Sequence, residues 1–294
     1  VICGILFPAL GFSILPHGGA EARITMHEAV GRTQSRTDAI DPARAAALHV
    51  TLGQDGPAPG AGDALPPFYH QIYFWEALPA DRLGRDGHPA TGQGLIPDLG
   101  LPQRMWAGGR LAFDGPFRAG IEATKTTTVE DVQIKTGRSG RLGFVTLRHE
   151  IAQGGVPCVT EWQDIVYREP PETRQARTDP PRAPQDAEDS QDAAFDVTLL
   201  FRYSALTFNG HRIHYDADYC RDVEGYAGLV VHGPLLAQRL MLMADRRLGG
   251  VRRFRFRATS PLIAGETGRF CAGADGRYWV SGADGRQCME AWAE

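Results

Sequence analysis

An excess of charge of one sign is missing from this sequence. Its 31 Lys and Arg stand against 35 Asp and Glu, a formal net charge of −4 over 294 residues. A balance that close to neutral gives the whole chain no strong pull toward nucleic acid or an anionic membrane. Cysteine is sparse too, at 5. An odd, scattered set argues for reduced thiols in a cytoplasmic protein rather than a disulfide framework. No apolar run reaches the length of a membrane span. Val1 to Leu15 is apolar, but Pro8 and Gly11 interrupt it and no basic segment precedes it, so it does not read as an export signal. Residues 1–25 are read as an extension, with the functional chain expected to start near Met26. Two signatures are missing as well. No Cys or His spacing matches a zinc motif, so no metal is expected. No dinucleotide Gly fingerprint sits between a strand and a helix, so no redox cofactor is implied.

What is present has the size of two domains. Met26 to Leu52 reads as helix, with Asp41-Pro42 as a start signal and Ala43, Ala46, Ala47 and Leu48 at helical spacing. Gln54–Pro67 and Pro79–Pro102 are Gly/Pro-rich loops, the second long enough to suggest a function of its own. Between them lies the aromatic run Phe68–Leu78, a candidate for a buried central helix. Four strand-like runs follow, Leu111–Phe113, Gly120–Asp131, Phe144–Ala152 and Val156–Tyr167. In the third, Val145, Leu147 and His149 alternate with polar residues, the period of a half-buried strand. Arg168 to Ala194 is rich in Pro and charge and reads as an extended linker. Beyond it the plan of a helix followed by strands repeats, with strands expected at Arg252–Thr259, Glu266–Ala272, Tyr278–Ser281 and Gln287–Trp292. Two halves on one plan suggest an internal duplication that has diverged.

The chemistry concentrates between Leu199 and Gly249. Leu199–Tyr203 suits a short strand or a buried lead-in. A polar turn then gathers Tyr203, Asn209, His211, His214 and Asp216, and Ala217–Cys220 is a candidate short helix. His232-Gly233-Pro234 next opens an apolar helix through Leu235, Leu236, Leu240, Leu242 and Met243, which Gly249-Gly250 would stop. A polar cluster beside a Gly-started helix suggests acid/base side chains with helix N–H groups holding an oxyanion. Each residue also has a plainer reading. His214 would be satisfied by a backbone partner, Asn209 would serve only as a turn residue, and Gly233 would be a tight lead into the helix. Tyr203 packs with a polar tip, and His211 and His232 are structural supports.

The segment Tyr203-Ser-Ala-Leu-Thr-Phe-Asn-Gly-His-Arg-Ile-His214 resembles the hydratase motif Asp-x-Asn-Pro-Leu-His of MaoC-like, type 2 hydroxyacyl-thioester dehydratases. Asn209 stands at the Asp position, His214 at the His position, Arg212 in place of Pro, and His232-Gly233-Pro234 where the family has His-Gly-Met. The variant is similar to hydratases of this family that act on mesaconyl-C4-CoA. The resemblance implies an α+β double hotdog, two tandem modules each with an antiparallel sheet wrapped around a central helix. It places a degenerate module at 26–168, a linker at 169–194 and the catalytic module at 195–294. It implies reversible addition of water to an enoyl-CoA. His214 would be the base, the Gly233 N–H would hold the thioester oxygen, and Asn209 would orient water or substrate, since a carboxamide does not titrate. His214 alone, Asp216, Asp218 or Glu224 is left open as the second proton handler. Tyr203, Arg212, His232, Arg104, Trp106 and Arg110 are assigned to the substrate, Arg212 to a free carboxylate and the other arginines to coenzyme A. Coenzyme A enters only as part of the substrate. No other cofactor, metal, nucleic acid or membrane is expected, and a homodimer is left open. An (R)-specific enoyl-CoA hydratase or 3-hydroxyacyl-thioester dehydratase acting on other acyl chains is the first alternative, and two more stand beside it. A hotdog thioesterase would usually place a carboxylate on or near the central helix, and Pro234–Ala244 has none. A non-catalytic acyl-thioester binding module would fit the missing Asp.

Overall fold

The computed structural model describes residues 27–92, 94–137, 140–169 and 179–294. The expected extension and residues 170–178 of the expected linker lie outside these residues. Alternation makes the sheet. In β4 (Gly140–Gln153), Val145, Leu147, His149 and Ile151 are buried while their neighbours are not, as the sequence period predicts. The N-terminal half supplies β1 (Thr33–Ala39), helix α1 (Pro42–Thr51), β2 (Gln103–Phe113), β3 (Glu122–Gly137), β4 and β5 (Val156–Arg168). The C-terminal half supplies β6 (Asp189–Ala194), α2 (Val197–Thr207), the short α3 (Ala217–Tyr219), α4 (Gly233–Leu248), β7 (Arg253–Ala258), β8 (Thr267–Ala272), β9 (Arg277–Ser281) and β10 (Gln287–Ala293).

All ten strands join one sheet in the order β1-β3-β4-β5-β2-β7-β10-β9-β8-β6, with every pairing antiparallel. Read outward from the β2–β7 seam, both halves run in the same order, which is the double-hotdog plan. A row of side chains across the sheet mirrors about the seam. Arg148, Trp162 and Arg110 are cross-strand partners on one side, and Arg277, Trp292 and Arg255 on the other, with Arg110 opposite Arg255. Arg110 stacks over Trp162 at 5.0 Å and Arg255 over Trp292 at 4.2 Å. The sheet's other face wraps α4, whose Leu235, Leu236, Leu240 and Met241 pack into one core with Phe68, Tyr69, Ile72, Phe254 and Phe256 from both halves. Gly249, in the left-handed conformation at φ 69°, ends the helix as expected.

Four expectations need correction. Thr33–Ala39 is not helix but an edge strand, so exposed on both faces that it carries no apolar period; Ser35 and Thr37 meet Thr126 and Thr124 across it. Helix begins only at Pro42, where Asp41 accepts the Ala43 N–H at 2.8 Å. Phe68–Leu78 yields only a 3-10 turn at Tyr69–Ile72, because Tyr73 is extended and Phe74 adopts φ 61°. The last residues of the expected linker form β6, paired to β8. Leu199–Tyr203 belongs to helix α2, capped by Asp196, which accepts the Leu199 N–H at 2.7 Å. Both Asp caps stand two residues past the first strand of their half, so the duplication extends to α1 and α2. Among the described residues no helix is long and apolar enough to cross a membrane.

Candidate active site

Helix α2 delivers the motif. It ends at Phe208, held left-handed at φ 52°, and the Asn209 N–H closes back onto the Ser204 carbonyl at 2.9 Å. The ring of Phe208 stacks on Trp75 of the other half at 5.1 Å, and Trp75 Nε1 donates to the Leu206 carbonyl, fixing the end of the helix. Asn209 Oδ1 accepts the His211 N–H at 3.0 Å, an Asx turn that leads into a 3-10 turn at Arg212–His214. The plain turn reading of Asn209 is therefore realised for its oxygen, which leaves the carboxamide NH2 as the group it offers.

His214 is buried. Its Nδ1 lies 2.7 Å from the Val230 carbonyl. A carbonyl only accepts, so Nδ1 carries the proton and Nε2 presents a lone pair. The His214 ring stacks on His232 with centroids 3.6 Å apart and planes 19° apart. His232 is fully buried at the N-cap of α4, and its Nε2 shares a hydrogen bond with Ser204 Oγ at 2.8 Å. Beside the pair, His232 Nδ1 and the Tyr203 hydroxyl are buried without a protein partner. The Tyr203 ring meets His232 edge-on at 5.0 Å. Gly233 opens α4, where the first N–H groups have no intrahelical acceptor. A Cβ built on it would meet no other side chain or backbone atom within 4 Å. The site thus places an unprotonated imidazole nitrogen beside a helix N-terminus that favours negative charge.

Burial holds these imidazoles neutral. His214 is pushed down to about 3, chiefly by burial and further by His88, against the pull of its bond to the Val230 carbonyl. His211 is pushed to about 2 by burial, then by His88 and His214. His232 lies well below its ordinary value, again from burial first and from His214 and His211 second.

A second group enters from the long Gly/Pro-rich loop of the N-terminal half. Asp86 Oδ2 lies 3.1 Å from His88 Nδ1 and 3.7 Å from Arg104 Nε. The His88 ring is 4.4 Å from that of His211, which meets His214 edge-on at 5.5 Å. Burial alone would raise the Asp86 carboxyl, but the hydrogen bonds it accepts from His88, with the nearby Arg104 charge, hold it below the ordinary carboxylate range. Burial lowers His88 despite Asp86, so the pair is a carboxylate accepting from a neutral imidazole. One atom from each of Asp86, His88 and His211 lies within 4.8 Å of the others, close enough for a divalent cation to be held.

The structure brings together His214, His232, Gly233, Tyr203 and Arg104 and sets Asn209 at the edge of the group. The structure sets the other three assigned residues apart from this group. Arg212 is already engaged: Nε and Nη2 both donate to Asp216 Oδ2, at 3.1 and 2.6 Å, Nη1 donates to the Arg85 carbonyl, and the guanidinium covers the Tyr219 ring. Trp106 packs on Phe68 and Phe256, and its Nε1 donates to the Gly108 carbonyl, so it belongs to the core. Arg110 is on the sheet face away from α4, since its neighbour Leu111 is in the core. Sequence reasoning missed Asp86 and His88 as site residues, although loop length had marked their segment and Asp86-Gly87-His88 echoes Asn209-Gly210-His211.

The chain matches the family Hydroxyacyl-thioester dehydratase type 2 over residues 68–264. It is 41% identical over 272 residues to the mesaconyl-C(4)-CoA hydratase of Chloroflexus aurantiacus, covering 90% of this chain and 96% of that protein. It is 26% identical over 248 residues to the mitochondrial hydroxyacyl-thioester dehydratase type 2 of Schizosaccharomyces pombe, covering 74% of this chain and 80% of that protein. Among solved structures, a Mycobacterium tuberculosis protein described as having a double hotdog fold superposes with a TM-score of 0.57 at 14% identity, covering 90% of this chain and 95% of that one.

Proposed function

The chain belongs to the type 2 hydroxyacyl-thioester dehydratase family and is a hydro-lyase, and from that premise we propose that it hydrates a C4 dicarboxylic enoyl-CoA of the mesaconyl-C4-CoA type. The observation that carries the chemistry is His214, locked by the Val230 carbonyl with Nε2 unprotonated and stacked against the residue that precedes the α4 start. The reaction proceeds as follows. His214 Nε2 takes a proton from water as the water oxygen bonds to C3 of the enoyl group. The electron pair of the double bond moves toward the thioester oxygen, which the Gly233 N–H and the positive end of α4 hold. The Nε2 proton then passes to C2, so that H and OH have been added across the double bond. Burial keeps His214 unprotonated at neutral pH and therefore ready to act first as the base.

The substrate assignment draws on the Chloroflexus relative's name and on Arg104. With Arg212 engaged by Asp216, Arg104 is the arginine beside the imidazoles. It is 16% exposed and only loosely paired to Asp86, and its planar fork suits the free carboxylate of such a substrate. The test is a panel of enoyl-CoA esters followed by loss of enoyl absorbance, with free thiol measured in parallel. Hydration of the dicarboxylic ester is expected at higher efficiency than hydration of crotonyl-CoA. The reverse order would refute the substrate assignment. Thiol release without hydration would replace the hydratase reading with a thioesterase.

A further inference from the structure

The motif lacks a carboxylate at Asn209, yet a carboxylate stands in the cluster, brought there by the other half. The reason is a backbone crossing. Asp86-Gly87-His88 lies across Asn209-Gly210-His211, and the two strands of chain touch at their glycines. A Cβ on Gly87 would overlap the Gly210 carbonyl, and one on Gly210 would come within 2.7 Å of the Gly87 carbonyl oxygen. Gly87 also sits at φ 87°, where only glycine is unstrained. The Arg212 N–H donates to the Asp86 carbonyl at 2.9 Å and Arg212 Nη1 to the Arg85 carbonyl at 3.2 Å, so the crossing is pinned by Arg212. Its result is the 4.4 Å approach of His88 to His211. Asp86 accepts twice from His88, from Nδ1 and from the backbone N–H, each at 3.1 Å. That fixes the loop's shape and the tautomer of the ring.

We propose that Asp86 and His88 are positioning residues for hydration, supplied by the N-terminal half in place of the motif's missing carboxylate: Asp86 orients His88, and His88 holds His211 where its ring accepts the second O–H of the attacking water. This rests on the hydratase reading above. One water hydrogen goes to His214 Nε2, the oxygen goes to C3, and the other O–H stays intact and is only held by His211. His211 suits that task, being half-buried between His88 and His214 and kept neutral by its surroundings. The bonds from His88, with the Arg104 charge beside them, keep Asp86 ionised and so keep it an acceptor.

The experiment uses the full chain and whichever enoyl-CoA the wild type hydrates best. His88→Ala and His211→Ala should each lower kcat roughly tenfold to a hundredfold with KM changed less than about threefold, and the double variant should be little worse than either alone. Added imidazole should restore part of the His88→Ala loss. Asp86→Asn and His88→Asn, milder in shape, should lower kcat in the same sense and serve if the alanine variants do not fold. Unchanged kcat in folded His88 and Asp86 variants would overturn the proposal, as would a loss confined to KM. So would activity removed by a chelator and restored by Zn2+, which would make Asp86, His88 and His211 a metal site instead. A wild type that hydrates no enoyl-CoA would sink the hydratase reading itself, a result visible before any variant is made.

Discussion

At the scale of the residue, His214 and Asn209 have separable roles. His214→Ala removes the proposed base and should cost on the order of a hundredfold to ten-thousandfold in turnover. Asn209→Asp keeps the oxygen that accepts the His211 N–H but loses the carboxamide NH2, so this variant should fold and retain reduced activity, with a shifted pH profile as the new carboxylate titrates. Asn209→Ala removes one hydrogen bond, worth about 0.5–1.5 kcal/mol. Parallel assays of the three variants check the ranking. The neutral histidines set a pH dependence as well. His149, His211 and His214 titrate at about 4, 2 and 3 in the folded chain, burial being the leading cause in each case. Unfolded, they would titrate near about 6.5. Below that value the unfolded chain binds protons that the native chain refuses. Stability is therefore complete above about pH 6.5 and declines as the pH falls toward the folded values. Urea midpoints at pH 8 and pH 5 should differ in that direction. The pH profile of kcat/KM should show no acid limb near 6.5 while the protein stays folded; a limb there would mean that His214 keeps an ordinary pKa. His214 was legible in the sequence because its motif is local. Asp86 and His88 were not, because their partners lie far along the chain, as the bond between Arg212 and Arg85, 127 residues apart, illustrates.

At the scale of the element, α4 was the most legible part of the fold. Its apolar run, Pro start and Gly stop are all local signals. Leu240, fully buried at its centre, should cost about 2–5 kcal/mol when replaced by Ala, read as a fall in the urea midpoint with the slope unchanged. The elements misread were those whose character comes from neighbours. β1 is a strand because β3 offers it a partner and a row of hydroxyls, not because of its own pattern. The aromatic run after Phe68 has the composition of a core helix, but Phe74 turns left-handed, and the Phe68 and Tyr69 rings fill core space beside the longer α4. Only the tertiary arrangement decides such cases.

At the scale of the whole molecule, the β2–β7 seam binds two unequal halves. The catalytic motif and α4 belong to the C-terminal half, while Asp86, His88, Arg104 and half of the shared core belong to the other. A fragment spanning residues 179–294 would leave β7 as an open edge and uncover Phe254 and Phe256. It should be recovered as aggregate on size exclusion, and without hydratase activity. A monomeric fragment with full activity would contradict this division of labour.

The contact between Gly87 and Gly210 also imposes a schedule. The loop that carries Asp86 and His88 is synthesised well before the segment it must lie on, and contacts so far apart in sequence close late in folding. Much of the first five strands' pairing is local and can form early, whereas the imidazole cluster must wait for the last long-range docking. Catalytic competence is then the final event in the life of a new chain, and its return during refolding is a clock for the completion of the fold.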